Sequence, residues 1–139
     1  MGSTFKRGRR ADKSGRSSGG PPFVQLYRYL LDSAAWLSLS PYARTVFVVL
    51  LQCYNGRNNG RLCLSQRDAA RLGGMAEGTA RKALGELQDR GFIELATPGS
   101  FTTKVRHAAE WRVTAYPDDV TGELPSKAFM SWRPGHAKA

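Results

Sequence analysis

The sequence predicts a small α+β domain, and three patterns carry this prediction. Apolar residues recur at helical spacing in three segments, 23–31, 43–54 and 80–87. Paired glycines, Gly73 and Gly74, separate the last of these helices from a short helix before it. Alternating apolar and polar residues at 62–64 and 111–115 are typical of half-buried β-strands. With 139 residues, the chain is long enough for one domain with tails.

The first helical pattern, in residues 23–31, predicts an amphipathic helix that ends at Asp32 and Ser33. Its apolar positions are Phe23, Leu26, Tyr27, Leu30 and Leu31. The residues Trp36, Leu37 and Leu39 are predicted to lie in a connector and to pack on the core. This leading helix either covers the domain or serves dimerisation.

The next helix starts at a strong signal, Ser40 as N-cap followed by Pro41. Its apolar residues surround it on nearly all sides, from Val46 to Leu51. Burying each such side chain is worth about 1.5–3 kcal/mol, so this helix is predicted to be the most buried element and to dominate stability. A turn at 55–60 and a short strand follow, with Leu62 and Leu64 facing inward.

Two short helices joined by a glycine turn come next. Ser65 is the predicted N-cap of the first, and Asp68 completes a capping-box pattern. Its predicted apolar side consists of Ala69, Ala70 and Leu72. The second helix has one apolar line, formed by Ala80, Ala83, Leu84 and Leu87. Its polar side is predicted to carry Arg81, Lys82 and Glu86 outward, and the helix ends at Gly91. Basic residues near the start of the second helix complete the plan of a helix-turn-helix.

The run T-A-R-K-A-L-G-E-L-Q-D-R-G-F-I from Thr79 to Ile93, with the helix before it, resembles the winged-helix family of bacterial DNA-binding proteins. The resemblance covers about residues 40–116 and implies a three-helix core with a helix-turn-helix and a small antiparallel β wing. It also implies a homodimer on a palindromic site. Ala76 stands where family members often have a Ser or Thr cap, which makes Thr79 the candidate for the missing polar contact.

The predicted wing consists of a strand at 92–95, a long basic loop and a strand at 109–116. Trp111, Val113 and Ala115 are expected to face inward, and Arg112 and Thr114 outward. The winged-helix domain with its leading helix thus spans 23–116. Residues 117–139 are predicted to be an irregular extension, whose anchors Phe129, Met130 and Trp132 dock on this domain or on a second copy.

The net charge of +10 favours a polyanionic partner, with nucleic acid first and an anionic membrane surface as the alternative. Half of this charge lies in residues 1–22, which contain six Lys and Arg residues and one acid, Asp12, for a net charge of +5. Gly, Ser and Pro fill the rest, so this segment is predicted to be a disordered basic arm. It either neutralises phosphates and enters a minor groove, or is a solvated tail.

No apolar run approaches the roughly 20 residues that span a bilayer, and no apolar h-region follows the basic N-terminus. We therefore expect no membrane and no signal peptide, and a cytoplasmic, nucleoid-associated protein. Two cysteines, Cys53 and Cys63, are interpreted as reduced structural thiols.

The candidate DNA-binding residues lie on the second helix of the helix-turn-helix, on the helix before it and on the wing. Arg81 is the candidate base reader, since its planar fork matches guanine O6 and N7. Thr79 is placed for a thymine methyl or a phosphate, Gly78 for close backbone approach and Lys82 for phosphate. Gln66 and Arg67 are expected at the backbone. The remaining candidates are Glu77 on the helix and Thr102, Thr103, Lys104 and Arg106 on the wing, against the minor groove or its phosphates.

Catalysis has little support in the sequence. His107 and His136 have no Cys or carboxylate at a metal-binding spacing, and there is no G-x-x-x-x-G-K motif. Asp118 and Asp119 are interpreted as turn residues. We therefore expect no enzyme, metal, cofactor or small-molecule ligand.

Three functions remain open at this point. The first is a sequence-specific double-stranded DNA-binding protein, a bacterial or phage transcription regulator. The second is a plasmid or phage replication initiator that binds origin repeats with the same surface. The third is a winged-helix module that binds a protein partner through an apolar face, with the basic face idle.

Overall fold

The computed structural model describes residues 20–101 and 106–135 as an α+β fold. Its described helices are α1 (Arg28–Leu31), α2 (Ala34–Ser38), α3 (Pro41–Gln52), α4 (Gln66–Gly73) and α5 (Glu77–Asp89), followed by a 3-10 helix at Ala128–Ser131. The strands are β1 (Leu62–Cys63), β2 (Ile93–Thr97), β3 (Ser100–Phe101), β4 (Arg106–His107) and β5 (Glu110–Val113). The elements follow an order that is compatible with a winged-helix-like layout. None of these described helices has the length and apolar character needed to cross a bilayer.

Helix α3 lies at the centre of the core, against α4 and α5. Ser40 Oγ accepts the Ala43 N–H at 3.2 Å and Pro41 takes the first turn, so the predicted start of the helix is confirmed. Val46, Phe47 and Leu50 are at most 1% exposed. One side still reaches solvent, because Val48 is 36% exposed.

The leading segment differs from its prediction. Instead of one helix over 23–31 it has a single turn, α1, and the expected connector contains a second helix, α2. The reason is that Ser33 begins a helix as well as ending one, since its Oγ accepts the Trp36 N–H at 3.2 Å. Leu30, Trp36 and Leu39 are buried in the core, whereas Leu37 is 66% exposed. The segment therefore covers the domain.

The two helices joined by a glycine turn form as predicted. Ser65 Oγ accepts the Asp68 N–H at 3.0 Å, and Gly74 ends α4 in the left-handed region at φ 67°. Ala69 and Ala70 are buried, but Leu72 is 52% exposed, so the predicted apolar side of α4 was one residue too wide. No side chain caps the start of α5 at Ala76, so the polar contact expected from Thr79 is not made. The apolar line of α5 is confirmed, with all four side chains at most 3% exposed.

The described strands form a three-stranded antiparallel sheet, ordered β1-β5-β2, and a separate β3-β4 pair. Leu62 pairs with Trp111 and Ile93 with Val113, which brings their buried side chains onto the inner face. The expectation for Thr114 was wrong, because its side chain is only 2% exposed. β5 has ended there, and Thr114 Oγ1 donates to the Gly91 carbonyl at 2.6 Å instead of continuing the strand alternation.

A fully buried amide, Asn59, joins the turn at 55–60 to the end of the sheet. Its Oδ1 accepts the Val113 N–H at 2.7 Å. Its Nδ2 donates to the Val113 and Pro117 carbonyls at 2.9 and 2.8 Å. A buried polar group is stable only with such partners, so this side chain locks the turn to β5.

The C-terminal extension docks on its own domain. The Phe129 ring, 1% exposed, stacks on Phe92 with centroids 4.9 Å apart. Trp132 lies against the Arg90 guanidinium, 5.3 Å from its ring centroid, but Met130 is 43% exposed and is not an anchor. Asp118 has the predicted turn role, since its Oδ1 accepts the Val120 N–H at 2.8 Å.

Replacing Gly91 by Ala tests how tightly the extension is docked. Gly91 has φ 83°, and a Cβ there would come within 2.8 Å of backbone atoms of Ala128 and Phe129. The matched control is Gly74→Ala, which also has positive φ but no atom within 4 Å of the new Cβ. We expect the control to lower the free energy of unfolding by about 1–2 kcal/mol and Gly91→Ala by about 1–3 kcal/mol more, measured by urea denaturation. Equal losses would contradict the close docking of the 3-10 helix.

Candidate nucleic-acid interface

The outer side of α5 is exposed to solvent. The buried line on the opposite side fixes the rotation of this helix about its axis. As predicted, Arg81 and Lys82 are exposed, as are Glu77 and Gly78, while Thr79 is partly buried. Positions 78 and 85 carry no side chain, and a Cβ built there meets no atom within 4 Å. The backbone of α5 is therefore open to close approach.

Both exposed cations of α5 lack an acidic partner within the described residues. For Lys82 this is unexpected, since Glu86 lies four residues on, a spacing that favours an ion pair. The prediction that Glu86 faces outward was wrong: it is partly buried and turned towards the start of α3. Its carboxylate accepts the Ser40 hydroxyl at 2.7 Å and the Ser40 N–H at 3.3 Å, and lies 3.7 Å from the Arg90 guanidinium. Glu86 thus ties α5 to α3 and leaves Lys82 unpaired.

An open cleft of about 700 Å³ runs between the start of α3 and the middle of α5. Its lining includes Tyr42, Thr79, Lys82, Gly85, Glu86, Asp89 and Arg90. Sequence reasoning missed Tyr42 and Gly85. The available signal was Gly85 itself, an isolated glycine inside a helical pattern with no turn to form.

The candidate residues on α4 occupy its first turn. Gln66 and Arg67 are both exposed, directly after the Ser65 N-cap. At a helical rise of 1.5 Å per residue they lie roughly 10 Å along α4 from the glycine turn that leads into α5. Both are therefore accessible to a partner, but at the far end of α4 from that turn.

The wing candidates lie largely outside the described residues. Thr102, Thr103 and Lys104 belong to the gap at 102–105, and Arg106 is placed only as the first residue of β4, paired with Phe101. The β3-β4 pair falls within the connection between β2 and β5. The hairpin expected as the wing therefore reaches beyond the three-stranded sheet.

The root of this hairpin is held by ion pairs. Arg112, expected to face outward, lies on the outer side of the sheet but is not a free cation. Its Nη2 lies 2.6 Å from Glu94 Oε2, and its Nη1 lies 2.6 Å from Asp118 Oδ2. Burial alone would raise the pKa of Asp118, but hydrogen bonds from Arg112 and from the N–H groups of Thr121 and Val120 outweigh it and hold the pKa below its ordinary value.

No family model, curated protein or solved structure matches this chain. Within residues 20–101 and 106–135, no three His, Cys, Asp or Glu side chains are grouped to hold a metal ion. The sequence and the geometry around α5 are therefore the grounds on which a function is proposed.

The Asp118 carboxylate should make stability depend on acid pH. Because its pKa is lowered in the folded state, its stabilisation is present above the unfolded value of about 3.9 and is lost as pH falls through the lower folded value. We expect the free energy of unfolding to fall as pH drops below about 5, where the unfolded state begins to bind the proton, and to fall less steeply in Asp118→Asn. Urea denaturation at several pH values measures both slopes. Identical slopes would show that Asp118 gains nothing from Arg112 in the folded state.

Proposed function

We propose that this chain is a winged-helix protein that binds double-stranded DNA sequence-specifically, as a bacterial or phage transcription regulator. One observation carries the proposal. Helix α5 is buried along one line and presents two exposed cations, Arg81 and Lys82, that lack acidic partners in the described part of the chain. In this proposal α5 enters the major groove, and the β2-β5 hairpin is the wing that contacts the flanking backbone or minor groove.

The chemistry of this surface suits a duplex groove. The major groove admits one α-helix, and base edges there present a distinct pattern of donors and acceptors. The exposed guanidinium of Arg81 has the fork that matches guanine, while Lys82 supplies a point charge for phosphate. The missing side chains at Gly78 and Gly85 let groove walls come close to the helix backbone.

The rest of the chain supports electrostatic attraction to DNA. The net charge is +10, and the segment 1–22 contributes half of it. This charge attracts DNA but does not recognise a particular base sequence. In this proposal the protein acts in the cytoplasm as a homodimer, whose two copies of α5 read half-sites about one helical turn apart.

Selection from a pool of random DNA duplexes, using the full chain, tests the proposal directly. We expect a preferred sequence to emerge, with an inverted repeat if two copies bind together. Fluorescence anisotropy should then show that preference surviving at physiological salt. Salt-labile binding without preference, equal to binding on anionic lipid vesicles, would contradict it. If no inverted repeat appears in the selected duplexes, the proposed binding as a homodimer is contradicted.

Arg81→Ala should weaken binding to the selected duplex by about 5- to 150-fold, the equivalent of about 1–3 kcal/mol for one bidentate base contact. The difference in affinity between duplexes that differ in sequence should disappear at one base pair. The matched control is Arg57→Ala, which removes the same charge from an exposed position in the turn at 55–60. Anisotropy on duplexes with single base changes measures both variants. If Arg81→Ala lowers the affinity for all of these duplexes by the same factor, Arg81 contacts a phosphate and not a base.

Deleting residues 1–22 should lower affinity and reduce the dependence of affinity on salt, because up to five net positive charges are lost. The order of preference among duplexes should stay unchanged, since reading depends on α5. Anisotropy over a salt series measures the slope. Loss of preference on deletion would make the arm, and not α5, the reader.

A further inference from the structure

We infer that the cleft between the start of α3 and the middle of α5 seats one phosphodiester group of the bound duplex, next to the base-reading side of α5. This inference rests on the proposed function and deepens it. It adds Tyr42 and Gly85 to the binding surface and assigns the roles of Lys82 and Thr79 there.

The charge in the cleft comes from Lys82. Its natural partner four residues on, Glu86, is already engaged by the Ser40 hydroxyl at 2.7 Å and by Arg90 at 3.7 Å. Asp89, also in the cleft, lies 3.7 Å from the same guanidinium. Arg90 offsets one of the two acids, so these three groups keep one net negative charge, while the ammonium of Lys82 has no acidic partner within the described residues.

Two residues with a hydroxyl group, Thr79 and Tyr42, line the same cleft as Lys82. Thr79 and Lys82 are three residues apart and share one side of α5, which faces the cleft. Tyr42 lines the opposite wall, on α3, and is 55% exposed. Neither hydroxyl has a hydrogen-bond partner among the described residues, so both are free to donate. A cleft lined by a cation and by hydroxyl donors matches the oxygens of a phosphodiester, which accept hydrogen bonds from both kinds of group.

Gly85 provides the space. A glycine inside a helix is less favourable for stability than alanine, and no turn or positive φ requires it at this position. A Cβ there would meet no atom of the protein within 4 Å. The folded chain alone therefore gives no reason for glycine, whereas a backbone strand of DNA lying in the cleft does.

The test compares Gly85→Gln and Lys82→Gln in the full chain, on the duplex selected from the random pool. Gly85→Gln introduces a good helix former that fills the cleft without changing charge. We expect its melting temperature to rise while its affinity falls about 5- to 10-fold, the loss of one phosphate contact. In both variants the slope of log affinity against log salt should decrease by about 0.9. Because both remove the same contact, the double variant should be no weaker than the weaker single one.

Tyr42→Phe isolates the hydroxyl and should lower affinity, with base preference intact. Its matched control is Tyr29→Phe on α1, 36% exposed, which should bind as the unchanged protein does. Equal binding by the two Tyr variants would remove Tyr42 from the surface.

The outcomes separate this inference from the function beneath it. If the unchanged protein selects a duplex and Gly85→Gln binds it with the same affinity and salt slope, the cleft is empty in the complex and only this inference fails. If Gly85→Gln instead changes the sedimentation of the free protein, the cleft is a contact between copies, which also overturns it. If no duplex is preferred by the unchanged protein, the proposed function fails first.

Discussion

The burial of one side of α5 is the constraint on which the rest of the structure depends. Ala80 and Ala83 are small enough to let α3 and α4 approach closely, and Leu84 and Leu87 fill the space between them. Glu86 then holds the helix to Ser40 at the start of α3. With its rotation fixed in this way, α5 presents Glu77, Gly78, Arg81 and Lys82 to solvent.

The elements after α5 hold its C-terminal end in place. The helix stops at Gly91, where the Phe92 N–H donates back to the Leu87 carbonyl at 2.9 Å and the Phe92 ring enters the core. Phe129 stacks on that ring, and the Tyr116 hydroxyl donates to the Gln25 carbonyl at 2.5 Å. The segments before α1 and after β5 thus close over the domain from both sides. Arg112 and Asn59 fix the base of the hairpin to the same body.

Local patterns in the sequence were sufficient for α3, α4 and α5, because their caps and apolar lines lie within a few residues of each other. Local patterns were insufficient where the contacting residues are far apart in the sequence. Ser40 and Glu86 are 46 residues apart, so neither the anchoring of α5 nor the cleft beside it is visible in either local pattern. Thr114 was misjudged for the same reason, and the buried hydrogen bonds of Asn59 could not be predicted, since the partners of both residues lie far away in the sequence. In α2, the N-cap signal at Ser33 was present but was interpreted as a helix end. The exposed candidates on α5 were predicted from spacing alone, whereas those at 102–104 lie outside the described residues.

The central claim is that the outer side of α5 lies in a duplex groove, and a structure of the protein bound to its selected duplex tests this most directly. In this complex Arg81 should lie at a base edge in the major groove, with Lys82 and Tyr42 against one phosphate of the adjoining strand. A complex in which α5 faces solvent or a second copy, and the duplex contacts other elements, would contradict it.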